Sequence, residues 1–95
     1  MSSIHRDYVP IPAAADGRFW CVDTGFIESE GIYETMVFDA VLLPDGPFDF
    51  DVSYDEVGIV MRTSDIDKAY ENHKEMVYKM SNITREEAYG QRSEI

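Results

Sequence analysis

The chain of 95 residues contains one cysteine, Cys21, and that scarcity excludes two things at once. No disulfide can close within the chain, and no thiolate cluster can hold a metal. A lone cysteine among apolar neighbours reads as a small buried hydrophobe, and a reducing cytoplasm suits a chain without crosslinks of its own. Long apolar runs are missing as well; none approaches the roughly 18 residues that a membrane-spanning helix needs. The opening "MSSIHRDYVPIPAAADG" lacks the basic-then-apolar order of a secretory signal. Histidine is limited to His5 and His73. There is no glycine-rich phosphate cradle, internal repeat or low-complexity tract.

The most telling absence is of positive charge. From Phe19 to Met61 there is no lysine or arginine, while the same stretch carries ten acids. The flanks on either side are close to balanced, so nearly all of the net charge of −11 belongs to the middle of the chain. Such a field repels nucleic acids and anionic membranes and attracts basic surfaces. Direct binding to nucleic acid or membrane is therefore not expected.

What is present suffices for one small domain, since 44% apolar and 13% aromatic residues can furnish a core. Residues 1–17, with "VPIPAAADG", read as an extended N-terminal arm because two prolines fix the backbone and remove donors. Residues 18–80 read as a β-β-β-α domain, and 81–95 as a tail with a short helix. "RFWCVDTGFI" has the aromatic and β-branched content of a strand, and "ESEG" supplies a turn. "IYETMVFDAVLL" is apolar on both faces, with Met36, Phe38 and Ala40 on one and Tyr33, Val37 and Val41 on the other. It is expected to be a central strand covered on both sides. Ser64 is the expected cap of a helix over 65–80, whose inner face would carry Ile66, Ala69, Tyr70, His73, Val77 and Met80. Thr84 and Glu87 form a capping box for a second helix near 85–90. The expected fold is α+β: a small antiparallel sheet of three or four strands with one main helix on one face, the arm and short helix being peripheral.

The segment "FDFDVSYDE" carries the functional question. In an extended chain Phe48, Phe50, Val52 and Tyr54 face one way, and Asp49, Asp51, Ser53 and Asp55 the other. Beyond Asp55–Glu56 the apolar positions become Val57, Ile59 and Met61. A bulge or tight turn is expected there, with the acidic piece an edge strand or wide loop and Val57 to Arg62 the third regular strand. A calcium loop does not fit: Tyr54 stands where the turn needs glycine, and Val60 where a bidentate glutamate belongs. Catalysis has little support either, because no nucleophile–base pair is visible. His5 falls in the arm, and His73 on the helix's apolar face suits a core or boundary histidine. No catalytic residue, metal or cofactor is expected, and the chain does not read as an enzyme. Alternate carboxylates would stand about 6.5–7 Å apart, close to the spacing of backbone phosphates. Asp45, Asp49, Asp51, Asp55 and Glu56 are therefore the candidate partner-binding residues. The plain alternative is a solvated strand face whose acids discourage edge-to-edge association.

Two stretches, "FWCVDTGFIESEGIYETMVFDA" and "MRTSDIDKAYENHKEMV", resemble a group of small phage- and prophage-encoded proteins of unknown function. The likeness rests on Trp20, Thr24, the run Tyr33 to Phe38 with its "ETMVF" core, Arg62, Ser64, Ala69 and His73. It covers about half of the chain. Asn72 replaces a glycine of that pattern, and the segment between Phe38 and Arg62 is longer, so the aspartate-rich stretch lies outside the likeness. The resemblance implies a viral origin and expression in the cytoplasm of an infected bacterium, and no activity. Together with the charge, it leads to the expectation of a non-enzymatic accessory protein that binds a basic surface of a host or phage protein. Inhibition of a defence or nucleic-acid enzyme by phosphate mimicry is the leading expectation. The alternative is a virion-associated or assembly protein.

Overall fold

A computed structural model of the chain describes residues 2–46, 49–53 and 57–92. The elements are β1 (Ser2–Pro10), β2 (Arg18–Ile27), β3 (Ile32–Leu42), β4 (Phe50–Ser53), β5 (Val60–Thr63), α1 (Ile66–Met80) and α2 (Arg85–Arg92). The strands form one antiparallel sheet in the order β1-β2-β3-β4, with β5 also paired to β3. The helix α1 packs on one face, so the architecture is α+β as the sequence leads one to expect. It has one strand more than expected.

The additional strand is the segment read as an arm. Ser2 to Pro10 pairs along almost the whole of β2, from Ser2↔Phe26 to Pro10↔Phe19. Proline is tolerated there because β1 lies at the sheet edge, where a missing donor costs no ladder bond. The register shifts between Ser3 and His5, which makes Ile4 a bulge. Beyond it His5, Asp7 and Val9 oppose Thr24, Val22 and Trp20 on the helix side. A tight turn closes β1 to β2 through Ala14 N to Ile11 O (3.3 Å), with Ala13 held at φ 59°.

β3 is central, as its two apolar faces predict. On the helix side Val9, Trp20, Val22, Val37, Val57, Ile59, Met76, Met80 and Ala88 form the main core. On the other side Cys21, Phe38 and Ala40 are buried beneath Tyr8, Phe19, Met36, Phe50 and Val52. Tyr8 stacks on Phe50 with centroids 3.8 Å apart, and Phe19 meets Phe50 edge-on at 5.0 Å. The change of apolar phase near Asp55 now has a cause. β4 and β5 lie end to end along the same edge of β3, opposite Leu42 to Asp39 and Met36 to Tyr33. Phe50 and Val52 cover one face, whereas Val57, Ile59 and Met61 contribute to the other. The second of these strands begins at Val60 rather than Val57.

Two details of α1 differ from expectation. Its N-cap is Asp65, whose side chain accepts from Asp67 N at 2.9 Å, and Thr63 Oγ1 accepts from Asp65 N at 3.1 Å. Ser64 precedes the cap. The buried stripe is Ala69, Asn72, His73, Met76 and Met80, while Ile66 and Tyr70 are exposed. The helix is turned to set His73 against polar groups of the sheet, and Asn72 goes in with it. The capping box before α2 forms as expected: Glu87 N donates to Thr84 Oγ1 (3.2 Å), and Thr84 N to Glu87 Oε1 (3.1 Å). The Thr84 amide, and after it the Thr84 hydroxyl donating to the same oxygen at 3.0 Å, hold the Glu87 carboxyl below its ordinary range. Neither terminal segment is peripheral. Ala88 is fully buried in the core, and Trp20, itself fully buried, donates from Nε1 to Ile83 O at 3.1 Å.

Candidate functional site

Among the described residues of the acidic stretch, one aspartate lies on a strand. Asp51 lies on β4, opposite Val41, and is exposed. Asp49 precedes the strand, and its carboxylate folds back over Gly46, so a methyl group at that glycine would collide with it. Asp45 is exposed in the turn before it. Asp55 and Glu56 lie outside the described residues, as do Phe48 and Tyr54. Asp51 and Ser53 face the helix side, where they line a cavity of about 440 Å³ with Arg18, Asp39, Arg85 and Tyr89. The exposed Asp16 is brought to the same end of the sheet, because Leu42 N donates to Gly17 O at 2.8 Å.

The arginines explain what becomes of the base-free block. Arg6 on β1 pairs with Asp23 through Nη2 at 2.6 Å, and Ser3 Oγ donates to the same carboxylate at 2.6 Å. Arg62 on β5 pairs with Glu34 at 2.6 Å. Arg85 on α2 donates from Nε (3.0 Å) and Nη2 (2.7 Å) to Asp39 Oδ2, which also accepts from the Tyr89 hydroxyl at 2.8 Å. Arg18 Nη1 stands 4.0 Å from the other oxygen, Oδ1. Among the described residues, Asp23, Glu34 and Asp39 are the buried acids of the block, and each is met by an arginine from outside it. The hydrogen bonds to Asp39 push the Arg85 pKa above its already high value, and burial followed by the bond to Asp39 pushes Tyr89 up. The sequence segregates the charges, and folding reunites them wherever an acid is buried.

A second constellation is not anticipated by the sequence reading, which puts His5 in an arm and His73 in a core. His73, 1% exposed, stacks on His5 with centroids 4.1 Å apart and planes 12° from parallel. Both rings direct Nε2 to one atom, Asp7 Oδ2, at 2.8 Å from His73 and 3.1 Å from His5. Behind the His73 ring, Nδ1 lies 2.7 Å from Thr24 Oγ1, which lies 2.7 Å from Thr35 Oγ1. A carboxylate only accepts, so the network assigns the proton of His73 to Nε2. Nδ1 then accepts from Thr24, and Thr24 from Thr35. Three donors and three acceptors are satisfied in one chain.

Chemically, Thr24, His73 and Asp7 reproduce the order nucleophile, base, orienting acid. Thr24 is fully buried and its hydroxyl is engaged on both sides, so a substrate carbonyl cannot reach it in this arrangement. Toward solvent the picture differs. His5, Asp7 and His73 each offer one ligand atom within 4.8 Å of the others, at the rim of a cavity also lined by Lys74, Val77, Tyr78 and Ser81. The signal that could have found this group is the alternation His5, Asp7, Val9, which a strand places on one face. The prolines that follow it suggested an arm instead. No protein-family model, curated protein or solved structure matches this chain.

Proposed function

We propose that the protein is a non-enzymatic accessory module that docks through its acidic surface on a basic surface of another protein, where it competes with nucleic acid. The supporting observation is the internal use of arginine. Arg6, Arg18, Arg62 and Arg85, half of the eight basic side chains, are turned toward Asp23, Glu34 and Asp39. Glu28, Glu30, Asp45, Asp49 and Asp51 are exposed and come from a stretch without a base of its own. A surface of this kind raises association rates with cationic partners and does so more strongly at low salt. The end of the sheet bearing Asp16, Asp45, Asp49 and Asp51 is the proposed contact, and Asp55 and Glu56 adjoin it in sequence. Expression in the cytoplasm of a phage-infected bacterium, with a host or phage nucleic-acid enzyme as partner, completes the reading.

The test is affinity capture from infected cells, eluted in steps of rising salt and identified by mass spectrometry, with duplex DNA as competitor. Recovery of a nucleic-acid enzyme, displaced by DNA and lost when Asp45, Asp49 and Asp51 are replaced by asparagine, supports it. Recovery of capsid or tail proteins only, or of partners indifferent to salt and to those substitutions, overturns it.

A further inference from the structure

We infer that His5, Asp7 and His73 form a binding site for a divalent first-row transition metal, with Zn²⁺ the best-suited ion. The three ligand atoms already converge: Asp7 Oδ2 is 2.8 Å from His73 Nε2 and 3.1 Å from His5 Nε2. Around a tetrahedral ion with bonds of about 2.0–2.1 Å, neighbouring ligand atoms stand roughly 3.3 Å apart. Two shifts therefore convert the hydrogen-bonded cluster into a coordination sphere: Asp7 Oδ2 draws back by a few tenths of an ångström, and the His5 ring turns out of its stack on His73 so that both Nε2 lone pairs meet at one ion, the three ligand atoms already lying within 4.8 Å of one another. His5 and Asp7 can make them, since both side chains are 46% exposed. His73 need not move. Its ring is fixed by the helix and by Thr24, an outer-shell partner of the kind that orients metal-bound imidazoles.

The proton arrangement permits the exchange. With Nε2 committed to the ion, the His73 proton resides on Nδ1 and is donated to Thr24 Oγ1. The Thr24 hydroxyl then turns toward Thr35 Oγ1, reversing the direction of the chain. Hydroxyl groups donate and accept equally well, so Thr24 keeps both of its partners with the ion or without it, and Thr35 Oγ1 changes from donor to acceptor. Two imidazoles and one carboxylate suit Zn²⁺, Cu²⁺, Ni²⁺ or Co²⁺ and disfavour Ca²⁺ and Mg²⁺, which prefer all-oxygen shells. Three protein ligands leave a position open toward the cavity lined by Lys74, Val77 and Tyr78, the pattern of a site that accepts water or an exogenous ligand. The net charge of −11 concentrates cations around it.

The full chain, freed of metal, would be titrated with Zn²⁺ by calorimetry and with Co²⁺ by visible absorption, both in excess Mg²⁺ to occupy the acidic surface. The expected result is one saturable equivalent, a Co²⁺ d–d spectrum of low coordination number, and a thermal midpoint that rises with Zn²⁺. His5→Asn and Asp7→Asn, both at accessible positions, should each weaken binding by more than the roughly 10- to 100-fold that loss of an outer-shell partner costs. Their folding is checked by the unfolding midpoint without metal. Absence of saturable binding in excess Mg²⁺, or binding that survives both substitutions, overturns the site. Either result is independent of capture by a basic partner.

Discussion

Arg85 reaches back across 46 residues of sequence to grip Asp39 with two donors, at 3.0 and 2.7 Å on the same oxygen. The contact fastens α2 to the central strand, and Asp39 is nearly buried while Arg85 is 42% exposed. Removing the arginine leaves a carboxylate with the Tyr89 hydroxyl and a more distant Arg18. Arg85→Ala should cost about 1–3 kcal/mol in urea unfolding, with the upper part discounted for solvent screening of the exposed guanidinium. Arg85→Lys should recover only part, because an ammonium cannot present two parallel donors. A loss equal to that of a neutral surface substitution would show that the Arg85–Asp39 contact does not fasten α2, leaving Ala88 and Tyr89 to hold it.

Beneath α1, Thr24 links His73 to Thr35. Thr24→Val keeps the shape and removes the hydroxyl, leaving His73 Nδ1 without its partner in a fully buried place. The expected cost is roughly 1–3 kcal/mol, and the double substitution Thr24→Val with Thr35→Val should be less damaging than the sum of the single effects. Strict additivity in a double-mutant cycle would mean that the hydroxyls do not act as one chain.

The alkaline limit of stability should be set in part by Cys21. Burial pushes its thiol from the ordinary 9.0 to about 11, with Asp23 adding to the rise while Arg6 and a Tyr8 hydrogen bond oppose it. The folded pKa lies above the unfolded one, so the stabilisation is complete below about pH 9 and is lost as pH climbs to about 11. Tyr89 is shifted upward as well and acts in the same direction. Cys21→Ala should flatten the fall in unfolding free energy across that window. Native protein should react with a thiol reagent only as fast as it opens, because the sulfur is fully buried.

Ala13 sits at φ 59° in the turn that follows β1, a left-handed conformation that costs an L-residue about 1–2 kcal/mol. Glycine removes that strain and adds unfolded-state entropy worth roughly 0.5–1 kcal/mol. Ala13→Gly should therefore be neutral or stabilising by about 0.5–1 kcal/mol, measured from the denaturant midpoint. A destabilisation beyond about 1 kcal/mol would contradict the turn geometry.

The sequence by itself determined the elements whose cause is local. Alternation and β-branched content mark β2 and β3, the two apolar faces of "IYETMVFDAVLL" place β3 at the centre, and Thr84 with Glu87 starts α2. The change of phase near Asp55 announced that Val52 and Val57 could not share a face, because side-chain direction in a strand is fixed by residue parity. Only the tertiary structure decided that residues 2–10 are a strand, since an edge strand draws its identity from the partner it pairs with and His5, Asp7 and Val9 needed β2 to give them a side. It alone decided that Arg6, Arg62 and Arg85 neutralise Asp23, Glu34 and Asp39, contacts spanning 17, 28 and 46 residues. The same holds for His5 and His73, which come together because a bulge at Ile4 and a turn of α1 aim both at Asp7. A sequence records which charges it contains. Desolvation of the buried ones, a property of the packed chain, selects their partners.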